Sequence, residues 1–337
     1  MKVALVGYGY WGKNIARNFS ISSEFELHTI CDLNPQSLET AKKLYPSVHV
    51  TDDFKKISDE VDVVAPIVPV DKHFYFANYF LDQGKHVLLT KPFTKTYDEA
   101  VMLIEKAERK NLTIFADHTF IFNPAVRKMK EILPRIGTPY IVMSSRLNLG
   151  LYQPDVNVVY DLMPHDLSII SFLFDGEVMH ATTKCFSAAG LPQEDFAQTT
   201  IEFNNNIRAF VTVSWLSPYK IRDFIIVGSD GMISYDDNQV TDKIKFYDRG
   251  VDLHDLQSGK SEAGYTARIS YKSGDSYSPA IKASEALSFE MHEFFKAIKD
   301  KNTRDYYNNI TLRTMKALDQ VVKSQQNQLS TIIKKAG

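Results

Sequence analysis

The sequence predicts a doubly wound parallel α/β sheet followed by an α+β domain built on a mostly antiparallel sheet. Three observations carry that expectation. Strand-like and helix-like segments alternate over the first third of the chain, the pattern of parallel βαβ units. After about residue 120 the alternation gives way to consecutive strands separated by turn signals. At 337 residues the chain exceeds the size at which one hydrophobic core keeps growing, so two domains are expected, 1–120 and 121–337.

In order, KVALVG reads as a short buried strand, with a helix following from about Lys13 to Phe19. FELHTICD, VDVVAPIV and KHVLLT read as further strands. Between the last two, DKHFYFANYFLDQG has helical spacing and stops at Gly84, a residue suited to ending a helix. YDEAVMLIEKAERKN is an amphipathic helix with acids early and bases late, which suits the helix dipole, and LTIFADHT is one more strand. In the second domain NPAVRKMKEIL reads as a helix, PYIVMSSRLNL as a strand and DLMPHDLSIISFLF as a helix whose first turn holds Pro164. The strands EVMHATTKCFSA, AQTTIEF, IRAFVTVSWL and IRDFIIVG follow, with a hairpin turn at the asparagines between Phe203 and Ile207. Residues 236–282 read as a polar excursion with one hairpin near KIKFYD, and two helices, near 284–299 and 305–325, close the chain.

A net charge of -2 offers no basic field for nucleic acid or an anionic membrane. No apolar run reaches the roughly 18 residues of a membrane span, and the first strand is too short for a signal-peptide core. Cys31 and Cys185 cannot form a disulfide framework and have no metal-ligand spacing. A cytoplasmic protein without a metal is expected.

Gly7-Tyr8-Gly9-Tyr10-Trp11-Gly12 fits G-x-G-x-x-G, a weak signal by itself. Here it follows a strand, opens a helix, and precedes Asp32 at the end of the next strand, so the whole dinucleotide fingerprint is met. Gly7 permits the tight turn, Gly9 lets backbone approach a pyrophosphate, and Gly12 allows close helix–strand packing. The phosphates then face unpaired N–H groups at the positive end of the helix. Asp32 can accept from the adenosine ribose hydroxyls and would repel a 2′-phosphate, which favours NAD. Tyr10 and Trp11 are expected to contribute backbone and packing.

Hydride transfer also needs a group to move the alcohol proton. Lys91, directly after HVLLT and before Pro92, stands at the carboxyl edge of the sheet where such cofactors lie. Asp161 and His165 are four residues apart at the start of one helix and share a face, so the carboxylate can hold the imidazole in one orientation.

GYGYWGKN, CDLNP, VPVDKH, QGKHVLLTKP, HTFIFNPAV and DLMPHD together resemble the Gfo/Idh/MocA oxidoreductases, over nearly the whole chain. The resemblance implies a Rossmann domain followed by an α+β domain whose large open sheet mediates dimer or tetramer contacts. It implies Lys91, Asp161 and His165 as catalytic residues, and Pro69, His73 and Lys91 itself beside the cofactor. Thr90 stands where the family usually has glutamate. Within the family, GYGYWGKN and SSRLNLG…DVN look most like the branch acting at C3 of nucleotide-linked sugars. Arg146, Asn148, Asn123 and Tyr160 are candidates for contacts with a polyhydroxylated or anionic substrate. A free sugar, polyol or inositol dehydrogenase, and a dinucleotide-binding regulator without chemistry, remain the alternatives.

Overall fold

The computed structural model describes residues 1–150, 152, 156–252 and 270–336. The chain forms two compact units: Met1–Asn123 with Ser284–Asp319, and Pro124–Ala283 with Gln320–Gly337. A single cut near residue 120 misses the return of 284–319 to the first unit. That return depends on long-range packing, which local pattern does not show.

The first unit holds six parallel strands, β1 (Lys2–Val6), β2 (Glu26–Cys31), β3 (His49–Thr51), β4 (Val63–Pro66), β5 (His86–Thr90) and β6 (Ile114–Asp117). Their order is β3-β2-β1-β4-β5-β6, so the strand order reverses between β1 and β4. In such sheets ligands bind at that reversal, outside the carboxyl ends of the strands. Valines, leucines and alanines of β1, β4 and β5 are buried without alternation, as expected of strands covered on both faces.

Helices α1 (Tyr10–Ile21), α2 (Pro35–Leu44), α3 (Val70–Asp82) and α4 (Tyr97–Arg109) connect the strands. The α1 helix begins three residues earlier than its spacing predicts and buries Gly12, Ile15, Ala16 and Phe19 along one stripe. The α4 helix starts with a full capping box between Thr96 and Glu99. Gly84 follows α3 with φ +74°, the left-handed conformation that glycine adopts without strain. Neither α2 nor β3 is evident in the sequence: α2 buries only Ala41, and β3 is a three-residue edge strand with no buried position.

The second unit holds an eight-stranded sheet in the order β16-β13-β12-β11-β7-β10-β9-β8. Its strands are β7 (Pro139–Leu149), β8 (Val178–Phe186), β9 (Phe196–Phe203), β10 (Arg208–Ser214), β11 (Leu216–Gly228), β12 (Met232–Asp236), β13 (Ile244–Tyr247) and β16 (Ser276–Tyr277). All neighbours are antiparallel except β7 and β10. Asn206 turns β9 into β10 with φ +64°, where asparagine is tolerated. A further pair, β14 (Gly250–Asp252) and β15 (Ser270–Lys272), stands apart from this sheet. Of the polar excursion expected over 236–282, residues 253–269 lie outside the described residues, and the hairpin expected near KIKFYD is the antiparallel pairing of β13 with β12.

Helices α5 (Pro124–Ile132) and α6 (Val158–Leu173) belong to this unit, with α6 packed on β7, β9 and β10. The α6 helix starts earlier than expected, at an Asn157 cap that accepts the Tyr160 N–H at 3.2 Å. Pro164 therefore lies inside the helix rather than in its first turn, and removes the N–H that would have bonded the Tyr160 carbonyl. Two last helices, α7 (Ala286–Lys299) and α8 (Lys301–Ala336), close the chain. In the first unit α7 packs on α1, where Glu285 takes Arg17 in an ion pair and the Asn18 amide at 3.2 Å. No helix among the described residues is long and apolar enough to cross a membrane.

Candidate active site

In the first unit the chain leaves β1 at Gly7, whose N–H reaches Cys31 O at 2.8 Å and whose φ is +99°. A Cβ there would lie 2.1 Å from Ile67 O, and one on Gly12 would lie 2.2 Å from Gly7 O. Gly7 and Gly12 are thus required for the turn and for the packing of α1 on it. At Gly9 a Cβ would meet nothing within 4 Å. Gly9 precedes the first helical residue, so the free N–H groups of the α1 start open onto unfilled space. That is the shape and polarity a pyrophosphate needs.

Asp32 lies at the end of β2, half-buried. Its Oδ2 accepts the Tyr8 N–H at 2.6 Å and its Oδ1 the Asn34 N–H at 2.8 Å. The carboxylate therefore ties the glycine turn to the following loop, while each oxygen keeps a lone pair for a ribose hydroxyl. Asp52 and Asp53 lie near: burial, with the charges of Asp32, Asp53 and Asp52, pushes the Cys31 thiol up to about 11.

Tyr10 departs from the packing role expected of it, since the residue is 83% exposed. Trp11 turns inward instead, and its Nε1–H donates to Asp117 Oδ2 at 2.6 Å.

Lys91 follows β5, half-buried, and Pro69 lies exposed just before α3. His73 is almost fully buried. Its Nδ1 is 3.0 Å from Pro92 O and 3.2 Å from Phe93 O, and its Nε2 is 2.9 Å from Val68 O and 3.3 Å from Thr90 Oγ1. With its proton on Nδ1, the ring donates to Pro92 O and Phe93 O and its Nε2 accepts the Thr90 hydroxyl, which ties together the two sides of Lys91, and burial holds it neutral by pushing its pKa down. Thr90 gives this network a neutral hydroxyl. His118 is also neutral, pushed down to about 4 by burial, with no hydrogen-bond partner for either ring nitrogen among the described residues.

In the second unit Asp161 and His165 occupy one face of α6, each half-buried. Asp161 Oδ2 accepts the Trp215 Nε1–H at 2.9 Å. Trp215 is held in turn through its own N–H, which donates to Asp195 O at 3.0 Å. The Asp195 carboxylate, fully buried, takes the N–H groups of Ala188 and Ala189 at 2.8 Å each. Neither Trp215 nor Asp195 stands out in the sequence reading. A signal did exist: the chain has two tryptophans, and a buried indole N–H needs an acceptor.

Arg146 is not displayed to a ligand. It is 4% exposed and grips Asp166 of α6 through Nε at 2.8 Å and Nη2 at 3.0 Å, while Ser144 Oγ adds a bond to Asp166 at 2.8 Å. Alternation along β7 explains it: Val142, Ser144 and Arg146 share the buried face. Asn148, half-buried, continues the same face, and Tyr160 lies in the first turn of α6, half-buried. Asn123 ends the first unit's leading segment, immediately before Pro124. No group of three or more His, Cys, Asp or Glu among the described residues could hold a metal ion.

Residues 1–118 match an oxidoreductase family with an NAD-binding Rossmann fold, and residues 135–234 match the GFO/IDH/MocA C-terminal domain. UDP-N-acetylglucosamine 3-dehydrogenase from Acidithiobacillus ferrooxidans is 27% identical over 259 residues, 74% of this chain and 78% of the relative. The solved structure of that enzyme matches with a TM-score of 0.79 at 22% identity, covering 96% of this chain and 97% of its own. A gentamicin A biosynthesis protein in complex with NAD matches at TM-score 0.78 and 16% identity, covering 96% of this chain and 93% of its own. A mutant 3-ketoreductase from Actinomadura kijaniata, with TDP-benzene and NADP, matches at 0.75 and 14%, covering 96% and 97%. With both of its units matched, over more than half its length, the chain belongs to the GFO/IDH/MocA oxidoreductases, a family of NAD-binding Rossmann-fold enzymes.

Proposed function

We propose that the chain moves a hydride between the C3 carbon of a nucleotide-linked sugar and NAD. In the direction of oxidation His165 takes the hydroxyl proton on its imidazole while the C–H bond gives up its electron pair as hydride. The bound dinucleotide supplies the hydride acceptor, C4 of its nicotinamide. Asp161 orients the imidazole and stabilises its protonated form. The Lys91 ammonium hydrogen-bonds the reacting oxygen and polarises it as the carbonyl forms. One observation carries this reading: a carboxylate fixed by the Trp215 indole lies one helical turn before the half-buried His165, in a chain of an oxidoreductase family.

The nucleotide-linked substrate is supported by the relative that acts on UDP-N-acetylglucosamine. Formation of reduced nicotinamide over a panel of UDP- and dTDP-sugars, free sugars and inositol tests it. Turnover of a nucleotide-linked sugar at least tenfold above the matching free sugar is the expected result. Turnover of free polyols alone would overturn it, and no turnover with any substrate would favour a regulator.

NAD rather than NADP is supported by Asp32 and the neighbouring Asp52 and Asp53. Asp32→Ala is expected to weaken NAD binding by about tenfold, the value of one charge-assisted hydrogen bond. The same change should leave NADP binding equal or tighter, because a like charge is removed. Calorimetric titration of both dinucleotides checks the two directions together.

The same reading includes a homodimer or homotetramer. Met143 and Phe210, side by side on β7 and β10 and each 40% exposed, give the open face of the sheet an apolar centre.

A further inference from the structure

Helix α7 buries Leu287, Met291, Phe294 and Ala297 along one stripe, and within that stripe it also buries Glu290 completely. A carboxyl among apolar side chains is costly unless it is paired. Among the described residues no donor reaches either Glu290 oxygen, and the group facing it is the Asp117 carboxyl at the end of β6. Asp117 is itself buried and already accepts three hydrogen bonds. Its Oδ2 takes Trp11 Nε1–H at 2.6 Å, and its Oδ1 takes the Thr119 hydroxyl at 2.5 Å and amide at 3.2 Å. Two carboxyl groups can bond each other only by sharing a proton, and three donors aimed at Asp117 leave that proton to Glu290. Consistently, burial and the adjacent Asp117 push the Glu290 carboxyl well above the usual carboxylate range.

Trp11 is the second residue of α1, so its ring and its free backbone N–H belong to the turn that faces a pyrophosphate. We propose that Glu290 is a positioning residue for the dinucleotide: as a neutral donor behind Asp117, it fixes the carboxylate that grips the Trp11 indole and so sets the Gly7–Gly12 turn. The proposal rests on reading that turn as the dinucleotide cradle. Stability alone does not explain a carboxyl here, since apolar replacements of buried polar pairs are often neutral or stabilising.

The two tryptophans make the test direct. In a Trp215→Phe background, tryptophan emission, excited selectively over the tyrosines, comes from Trp11 alone. Glu290→Gln keeps a neutral donor of the same shape, whereas Glu290→Met keeps the volume and loses the donor. Expected results are a Glu290→Gln protein with parental Trp11 emission and NAD affinity, and a Glu290→Met protein with shifted emission and about tenfold weaker NAD binding. Glu290→Met should keep an equal or higher melting temperature, which a purely structural role would not give. Parental emission and affinity in a folded Glu290→Met protein would overturn the proposal. If Glu290→Met does not fold, Trp11→Phe decides: a comparable loss of NAD affinity supports it, and unchanged affinity overturns it. A parental protein that binds neither NAD nor NADP would instead fail the cradle reading, and the proposal would fall with it.

Discussion

Replacing Lys91 with Ala is expected to lower turnover by about 10³-fold, within the range that a positioned proton-transfer or polarising group contributes. NAD should bind with unchanged affinity, because the glycine turn, the α1 start and Asp32 hold the dinucleotide without this side chain. The local chain should also survive, because the buried His73 ring bonds Pro92 O and Phe93 O on one side and the Thr90 hydroxyl on the other without the lysine side chain. Steady-state rates on the best nucleotide-linked sugar, paired with an NAD titration, separate the two effects. Rates comparable to the parent would remove Lys91 from the mechanism, and a parallel loss of NAD binding would make it a cofactor contact instead.

Asp166→Ala should cost about 3–5 kcal/mol of stability, because it strands the Arg146 guanidinium in the interior without its counter-charge. The geometry is bidentate, both groups are nearly sealed from water, and Ser144 would lose its acceptor as well. Replacing the pair together, Arg146→Met with Asp166→Leu, should recover most of that loss, since it removes the uncompensated charge along with the carboxylate. Urea unfolding of the three proteins measures both steps. A single mutant that loses less than about 1 kcal/mol, the ordinary worth of an exposed ion pair, would refute the assignment. The same helix carries Asp161 and His165, so the anchor to β7 also fixes where those two side chains stand.

Much of the fold was legible because the residues that encode it act locally. The glycine spacing, the apolar runs of β1, β4 and β5 and the capping box of α4 each declare themselves over a few positions. Asp161 and His165 were legible for the same reason, being one turn apart on a helix. What the sequence could not show were partners brought together from distant segments. Arg146 reads as a substrate contact, and its bidentate partner Asp166 lies twenty residues away; His73 reads as a cofactor neighbour, and its own partners are the backbone on both sides of Lys91. Trp215, Asp195 and Glu290 carry no local signature, because each acts through a residue far away in sequence. The short edge strand β3 and the polar α2 were missed because neither buries enough apolar surface to leave a pattern.

The return of 284–319 to the first unit also bears on how the chain comes off the ribosome. Its aromatic centre joins Phe25, Phe115 and Phe122 to Phe294 and Tyr307, with ring centroids 5.1–5.6 Å apart across the two segments. During synthesis, the nucleotide-binding half must therefore wait with three greasy rings uncovered until the segment 284–319 has been translated. A fragment ending at residue 123 would carry that wound permanently, which makes it a poor candidate for expression by itself and a natural client for chaperones.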